Sequence, residues 1–274
     1  MKYLQNMHTH STFCDGKDDP ESTVKRAIFL GFDTIGFSSH GTMAGHYSVL
    51  RKDKIKDYQA EIYRLKEKYK DSINVYCGLE EDLYCDDFSD GFEYIIGAVH
   101  YVEKDGELVS IDVSSAESLR SKVDKYFDGD YLKVAKVYYE TMCKLPAELH
   151  YKMDFVAHFD LIAKFFETAD FIDQENRTYL GYAMDALRYL NDKGYPFEIN
   201  TGGAARGYRT IPYPAPTILK ELNRIGGRVL ITSDCHNNML LDFGFQNSLD
   251  LARETGFKEV QIFNGKEFVP KPII

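Results

Sequence analysis

Short apolar runs punctuate this chain, and polar side chains follow each of them at once. The first holds Tyr3, Leu4 and Met7 and gives way to His8-Thr9-His10. Thr34-Ile35-Gly36-Phe37-Ser38 leads into Ser39-His40-Gly41, and the run 73–77 into Gly78-Leu79-Glu80-Glu81-Asp82. The run 94–99 ends at His100, 155–157 at His158-Phe159-Asp160, and 228–232 at Ser233-Asp234-Cys235-His236. The run 197–200 opens instead on Thr201-Gly202-Gly203 and then Arg206. Runs this short, rich in β-branched and aromatic residues, predict seven strands.

Between the strands the spacing turns helical. Pro20-Glu21-Ser22-Thr23 is an acidic helix start with proline in the first turn, and Gly31 closes that helix after Leu30. Ile55, Tyr58, Ile62, Leu65 and Tyr69 recur at helical spacing, as do Leu180, Ala183, Met184, Leu187 and Leu190 before Gly194. The stretches 216–225 and 245–255 read as helices too, and a last short strand covers 260–263. A hairpin is expected over 102–111 around Asp105-Gly106. Helical stretches at 115–125 and 130–149 form an expected insertion, around 112–150, over one face. Strands alternating with helices argue for parallel pairing, and barrels of that kind place their chemistry where the strands end. With no long linker or internal repeat, residues 1–274 read as a single domain of the α/β class.

Composition narrows the partners. Hydrophobic residues at 44% and aromatics at 14% suffice for a sizeable core. A formal charge of −10 with no basic block argues against nucleic acid, although bound cations can reverse the local sign in a cleft. No apolar run approaches a membrane span and 1–13 lacks signal-peptide character, so a soluble, cytoplasmic protein is expected. The five cysteines are scattered, which disfavours a disulfide framework.

The candidate chemistry is metal binding. His8, His10, His40, His100, His158 and His236 follow strand-like runs directly, and Asp15, Glu80 and Asp234 join them at the same level. On a pleated strand residues i and i+2 share a face, so His8 and His10 can reach one ion. Imidazole and carboxylate without thiolate suit zinc, iron or manganese. Nine such groups exceed the four to six ligands of one ion, so more than one metal is implied, and a carboxylate such as Glu80 can bridge two. Asp160, Glu81 and Asp82 are candidates to orient imidazoles from behind, a solvated acidic rim being the alternative for the latter two. His150 reads as a solvated residue at a helix end, and Cys235 as pointing away from its neighbours' ion. His46, in the loop after His40, is a candidate for touching substrate.

These stretches resemble the successive motifs of the PHP (polymerase and histidinol phosphatase) superfamily, nearly end to end: His8-Thr9-His10-Ser11, Ser39-His40-Gly41, Gly78-Leu79-Glu80, Val99-His100, His158-Phe159-Asp160 and Ser233-Asp234-Cys235-His236. The spacing, with Glu198-Ile199-Asn200-Thr201 to Arg206, is most similar to the histidinol-phosphatase branch. The resemblance implies a distorted (β/α)7 TIM-like barrel with three divalent ions at the C-terminal ends of the strands. It implies His8, His10, Glu80 and Asp234 on one ion, Glu80, His100 and His158 on a second, and Asp15, His40 and His236 on the third. Some members carry histidine near Asp15; a carboxylate there is harder and leans that site toward manganese or iron over zinc.

The activity implied is a metal-dependent phosphomonoesterase releasing L-histidinol from L-histidinol phosphate in histidine biosynthesis. Glu80, Asp234, His236 and Arg206 would carry the chemistry, the ions acidifying water while a guanidinium neutralises phosphoryl oxygens. Arg206 is the expected phosphate clamp, with Arg209 its competitor for that role. The rival enzyme is a PHP-type phosphatase or phosphodiesterase acting on mononucleotides or another small phosphate ester. A non-catalytic metal-binding module fits least, since structural sites rarely need several ions.

Overall fold

A computed structural model describes residues 3, 5–43, 49–86 and 90–273. Leu4 and His46 lie outside the described residues. Strand β1 (Gln5–Asn6) is followed by α1 (Pro20–Leu30), whose N-cap Asp19 accepts from the Ser22 N–H and whose C-cap Gly31 takes the left-handed conformation, φ 77°. Then come β2 (Thr34–His40), α2 (Ile55–Lys68), β3 (Asn74–Asp82) and β4 (Tyr94–Ala98). The expected hairpin is β5 (Tyr101–Lys104) with β6 (Glu107–Ser110). Helices α3 (Ala116–Phe127), α4 (Tyr131–Met142) and α5 (Leu145–Glu148) lead to β7 (Phe155–Val156). The stretch expected as one helix over 130–149 is thus two, because Pro146 cannot donate to the preceding turn and its ring clashes there.

The second half runs α6 (Arg177–Asp192), β8 (Phe197–Asn200), α7 (Gly202–Ala205), α8 (Pro216–Arg224), β9 (Val229–Thr232) and α9 (Phe245–Glu254). It ends in the antiparallel pair β10 (Glu259–Phe263) and β11 (Phe268–Pro272). Strand β11 was not expected, since Pro270 and Pro272 cannot donate to a ladder; an edge strand tolerates them.

Seven parallel strands form one sheet in the order β1-β2-β3-β4-β7-β8-β9. The sheet curls into a nearly closed barrel through a parallel bridge between Thr9 and Cys235. There the His10 N–H donates to the Cys235 carbonyl (2.8 Å) and the Cys235 N–H to that of His8 (3.1 Å). The seam is therefore stitched by the same segments that carry His8, His10, Asp234 and His236. No helix among the described residues is long and apolar enough to cross a membrane.

Inside the barrel, Met7, Tyr94, Ile96, Phe155 and Leu230 pack together with Phe263 of β10, and Phe268 of β11 joins them. Gln5 holds β10 from the barrel side, its side-chain amide exchanging two hydrogen bonds with the Phe263 backbone (2.9 and 2.6 Å). Tyr94 fills the middle of the barrel only because β2 and β3 carry glycines opposite it. A Cβ on Gly78 would overlap the Tyr94 ring, and one on Gly36 its hydroxyl group. Gly78→Ala should cost about 1–3 kcal/mol through this overlap. Urea unfolding of the metal-loaded protein would show it as a lower midpoint at unchanged slope, and the cost should vanish in a Tyr94→Ala background.

Candidate metal centre

The pleat explains which polar residues meet. In β3, Glu80 and Asp82 point into the barrel mouth while Glu81 between them points outward. Across the β2–β3 ladder His40 is in register with Glu80. His100 and His158 stand two residues past the ends of β4 and β7, and Asp234 and His236 flank Cys235 at the bridge. Asp234 adopts φ 46°, a left-handed conformation that aspartate tolerates better than most residues.

All nine residues converge, with Glu80 at the middle. Its Oε2 lies 3.4 Å from His8 Nε2, 3.5 Å from His10 Nε2 and 2.8 Å from His40 Nδ1. Its Oε1 lies 2.9 Å from His158 Nε2 and 3.4 Å from His100 Nε2. Asp234 Oδ1 stands 3.6, 3.2 and 3.4 Å from His8 Nε2, His10 Nε2 and His236 Nδ1. Asp15 Oδ1 approaches His236 Nε2 (3.2 Å), His40 Nε2 (3.5 Å) and His10 Nδ1 (3.9 Å). The tightest donor sets are His10, Asp15, His40 and His236; His8, His10 and Glu80; and His40, Glu80 and His100. His10 and His40 therefore each stand between two sets, a sharing that spacing along the chain does not reveal.

Carboxylates and imidazoles perturb one another strongly inside this volume. Burial pushes the imidazoles of His8, His40 and His100 down, yet the carboxylates around them win and raise all three, His100 to about 10. His10 goes the other way, to about 3, through burial and the neighbouring His236 and His40 rings. Burial would raise Glu80 and Asp234, but facing cations hold both well below the usual carboxylate range; for Asp234 the first of these is Arg206. Several inward atoms nonetheless make no well-aligned hydrogen bond: His8 Nε2, His10 Nε2 and Glu80 Oε2. Buried lone pairs left without a partner are costly, and divalent ions satisfy them. The residues present fit metal ions.

Outer partners fix the rings. Glu198 in β8, fully buried, sets its Oε2 2.9 Å from His8 Nδ1, leaving Nε2 to face the centre. The same carboxylate accepts from the His158 N–H (2.6 Å), Asn200 Nδ2 (2.6 Å) and Thr232 Oγ1 (2.7 Å). Asp82 does the same for His100, 3.3 Å from Nδ1 and accepting its backbone N–H. The other two expected supports go elsewhere. Glu81 is no solvated rim: it is buried on the outer face and accepts from His150 Nδ1 and N–H (2.9 and 2.7 Å), which gives His150 a partner as well. Asp160 accepts from the Ala215 N–H and lies 3.8 Å from Arg209. Cys235 turns its thiol to the Asn237 carbonyl.

A cavity of about 290 Å³ opens over the centre, lined on the protein side by Asp112, Lys164, Arg206 and Tyr208. Arg206 reaches Asp234 with both branches of its fork, Nη2 to Oδ2 (2.9 Å) and Nη1 to the carbonyl (3.2 Å), so that Oδ1 is left for the imidazoles. Arg209 is a correction: its side chain is fully buried, stacked on Tyr213, and does not line this cavity. Lys164, nearly buried, donates to Asp112 Oδ1 (2.6 Å) and the Val113 carbonyl (2.8 Å). Glu198, Asp112 and Lys164 were not singled out as site residues from the sequence. Only Glu198 carried a signal there, an acid between apolar residues of a strand.

Residues 6–202 match the family model described as PHP domain. The chain is 25% identical to the Schizosaccharomyces pombe protein named "Probable histidinol-phosphatase", over 84% of this chain and 79% of that one. It is 21% identical to the histidinol-phosphatase of Bacillus subtilis, covering 89% and 97% of the two chains. In structure it resembles the histidinol phosphate phosphatase of Lactococcus lactis, crystallised with zinc, L-histidinol and phosphate, at a TM-score of 0.68 and 22% identity over 97% of this chain and 98% of that one.

Glu198→Gln should loosen the centre without touching it directly. Glu198 accepts from four donors, and an amide would turn N–H toward two of them. Metal affinity should fall by about 10–100-fold. Metal content after dialysis against graded chelator would measure the loss, with retention equal to wild type ruling the support role out.

Proposed function

We propose that this chain, which belongs to the PHP domain family, is a metal-dependent phosphomonoesterase that hydrolyses L-histidinol phosphate to L-histidinol and phosphate. The observation that carries this reading is the set of unpartnered imidazole and carboxylate atoms turned toward one centre beneath a cavity walled by Arg206 and Lys164. The names of the relatives, and the zinc, L-histidinol and phosphate bound by the Lactococcus lactis protein, support the substrate.

Three divalent ions, of zinc, iron or manganese, would be held as follows: one by His8, His10, Glu80 and Asp234, one by Glu80, His100 and His158, one by Asp15, His40 and His236. Bound there, such ions supply positive charge to phosphoryl oxygens and acidify water. Three ions bring about +6 against about −3 from Asp15, Glu80 and Asp234, so an anion is attracted despite the acidic chain. The protein's own groups do the rest. Glu198 and Asp82 hold His8 and His100 so that their Nε2 atoms face the centre. Arg206 steadies Asp234 and places a permanent cation on the cavity wall, where it meets the phosphoryl group. Lys164 adds a second cation on that wall.

Two measurements test this. L-histidinol phosphate should exceed mononucleotides and simple alkyl phosphates in kcat/KM by orders of magnitude, because phosphate capture alone does not distinguish alcohols. Equal turnover of mononucleotides would favour the rival enzyme. At saturating metal, Arg206→Met should lower kcat/KM by about 10²-fold, near 2.7 kcal/mol of transition-state stabilisation. Arg206→Lys should recover little, since an ammonium loses the fork that both braces Asp234 and meets phosphate. Normal turnover by Arg206→Met would remove Arg206 from the reaction.

A further inference from the structure

Asp112 is a carboxylate in the wrong place for a cavity that receives only phosphate. It follows β6, and the hydrogen bond from the Ile111 N–H to the His100 carbonyl (2.7 Å) returns the hairpin to the centre's edge. Its side chain is 38% exposed. It lines both the main cavity and the adjoining one, of about 70 Å³, beyond His40 and His100. A carboxylate facing a phosphate dianion across a walled cavity repels it, and that repulsion is screened far less than at an open surface. Neutralising Lys164 does not explain the exposure. That ammonium already has the Val113 carbonyl and lies 4.1 Å over the Tyr208 ring, and a purely structural partner could be enclosed with it.

Resting on the reading above, we propose that Asp112 is the specificity determinant of this site, selecting phosphate esters of 2-amino alcohols by receiving their ammonium group. The cavity then presents alternating charges to a ligand with alternating charges. Arg206 and Lys164 meet the phosphoryl end, and Asp112, held beside Lys164, meets the cation carried two carbons from the ester oxygen. Esters of uncharged alcohols keep the first interaction and meet, in place of the second, a carboxylate that only Lys164 partly offsets. Asp112 recognises the substrate and takes no part in bond breaking.

The test is the ratio of two kcat/KM values: L-histidinol phosphate against 3-(imidazol-4-yl)propyl phosphate, which lacks only the amine. Wild type should favour the amine by about 30-fold, the scale of a charged hydrogen bond. Asp112→Asn keeps an oxygen for Lys164 and removes the charge; with metal content verified, it should collapse the ratio toward one. A ratio that survives in Asp112→Asn overturns the proposal. So does a wild-type ratio near one, which needs no variant to fold. If neither imidazole ester is turned over while other phosphates are, the histidinol phosphate reading fails by itself. The ratio for 2-aminoethyl phosphate against ethyl phosphate then decides on Asp112 in the same way.

Discussion

Three carboxylates and six imidazoles share one largely buried volume, and their mutual neutralisation is the constraint on which the rest depends. Without cations, protons must do it. His8, His40 and His100 are all driven toward the imidazolium form, while Glu80, Asp234 and Asp15 are held ionised. The carboxylates thus draw positive charge onto the rings around them. Divalent ions bring more charge than those protons and bind donor atoms that protons leave unpaired. Metal uptake and proton release are therefore one process here, and acid works against the ions at every ring whose affinity for protons is raised.

The same residues close the barrel. Strand β1 is only two residues long in its pairing with β2, and its continuation is held to the far edge of the sheet by the Thr9–Cys235 bridge. Thr9 lies between His8 and His10; Cys235 lies between Asp234 and His236. Ions that draw these four side chains together pull the two edges of the sheet together as well. Conversely, the backbone bonds across the seam hold both ligand pairs beside each other. Preorganisation of the centre and closure of the barrel come from one set of hydrogen bonds.

Much of this could be read in the chain, and the parts that could not share a cause. Strand ends are visible because an apolar run stops and a polar residue follows, so His8, His40, His100, His158 and Asp234 stand out. What a polar side chain does next depends on which face it takes and what packs there. Glu80, Glu81 and Asp82 are consecutive, yet the pleat sends the middle one to His150 and the outer two to the centre. Asp160 and Arg209 looked like site residues and instead meet each other beneath Tyr213. Glu198 was hidden within a strand, and Asp112 and Lys164 come together across 52 positions of sequence. Their pairing is a tertiary fact with no local pattern. The break before α5 and strand β11 turned on prolines, whose effect depends on whether the lost N–H was needed.

The acidic balance of the chain bears on function only through distance. A net charge of −10 would repel a phosphate dianion if it acted as a whole. At physiological salt, exposed charges are screened within about 8 Å, whereas charges in a walled cavity are screened much less. Many surface carboxylates are moreover paired with lysine or arginine, as Glu21 is with Lys68 and Arg64 and Glu221 with Arg188 and Arg224. A ligand at the cavity mouth is governed by Arg206, Lys164, Asp112 and the centre below them. With ions in the centre, positive charge would lie there and the Asp112 carboxylate toward the hairpin. Such a separation of charge would orient a ligand bearing both signs before any contact is complete, which a uniformly basic pocket could not do.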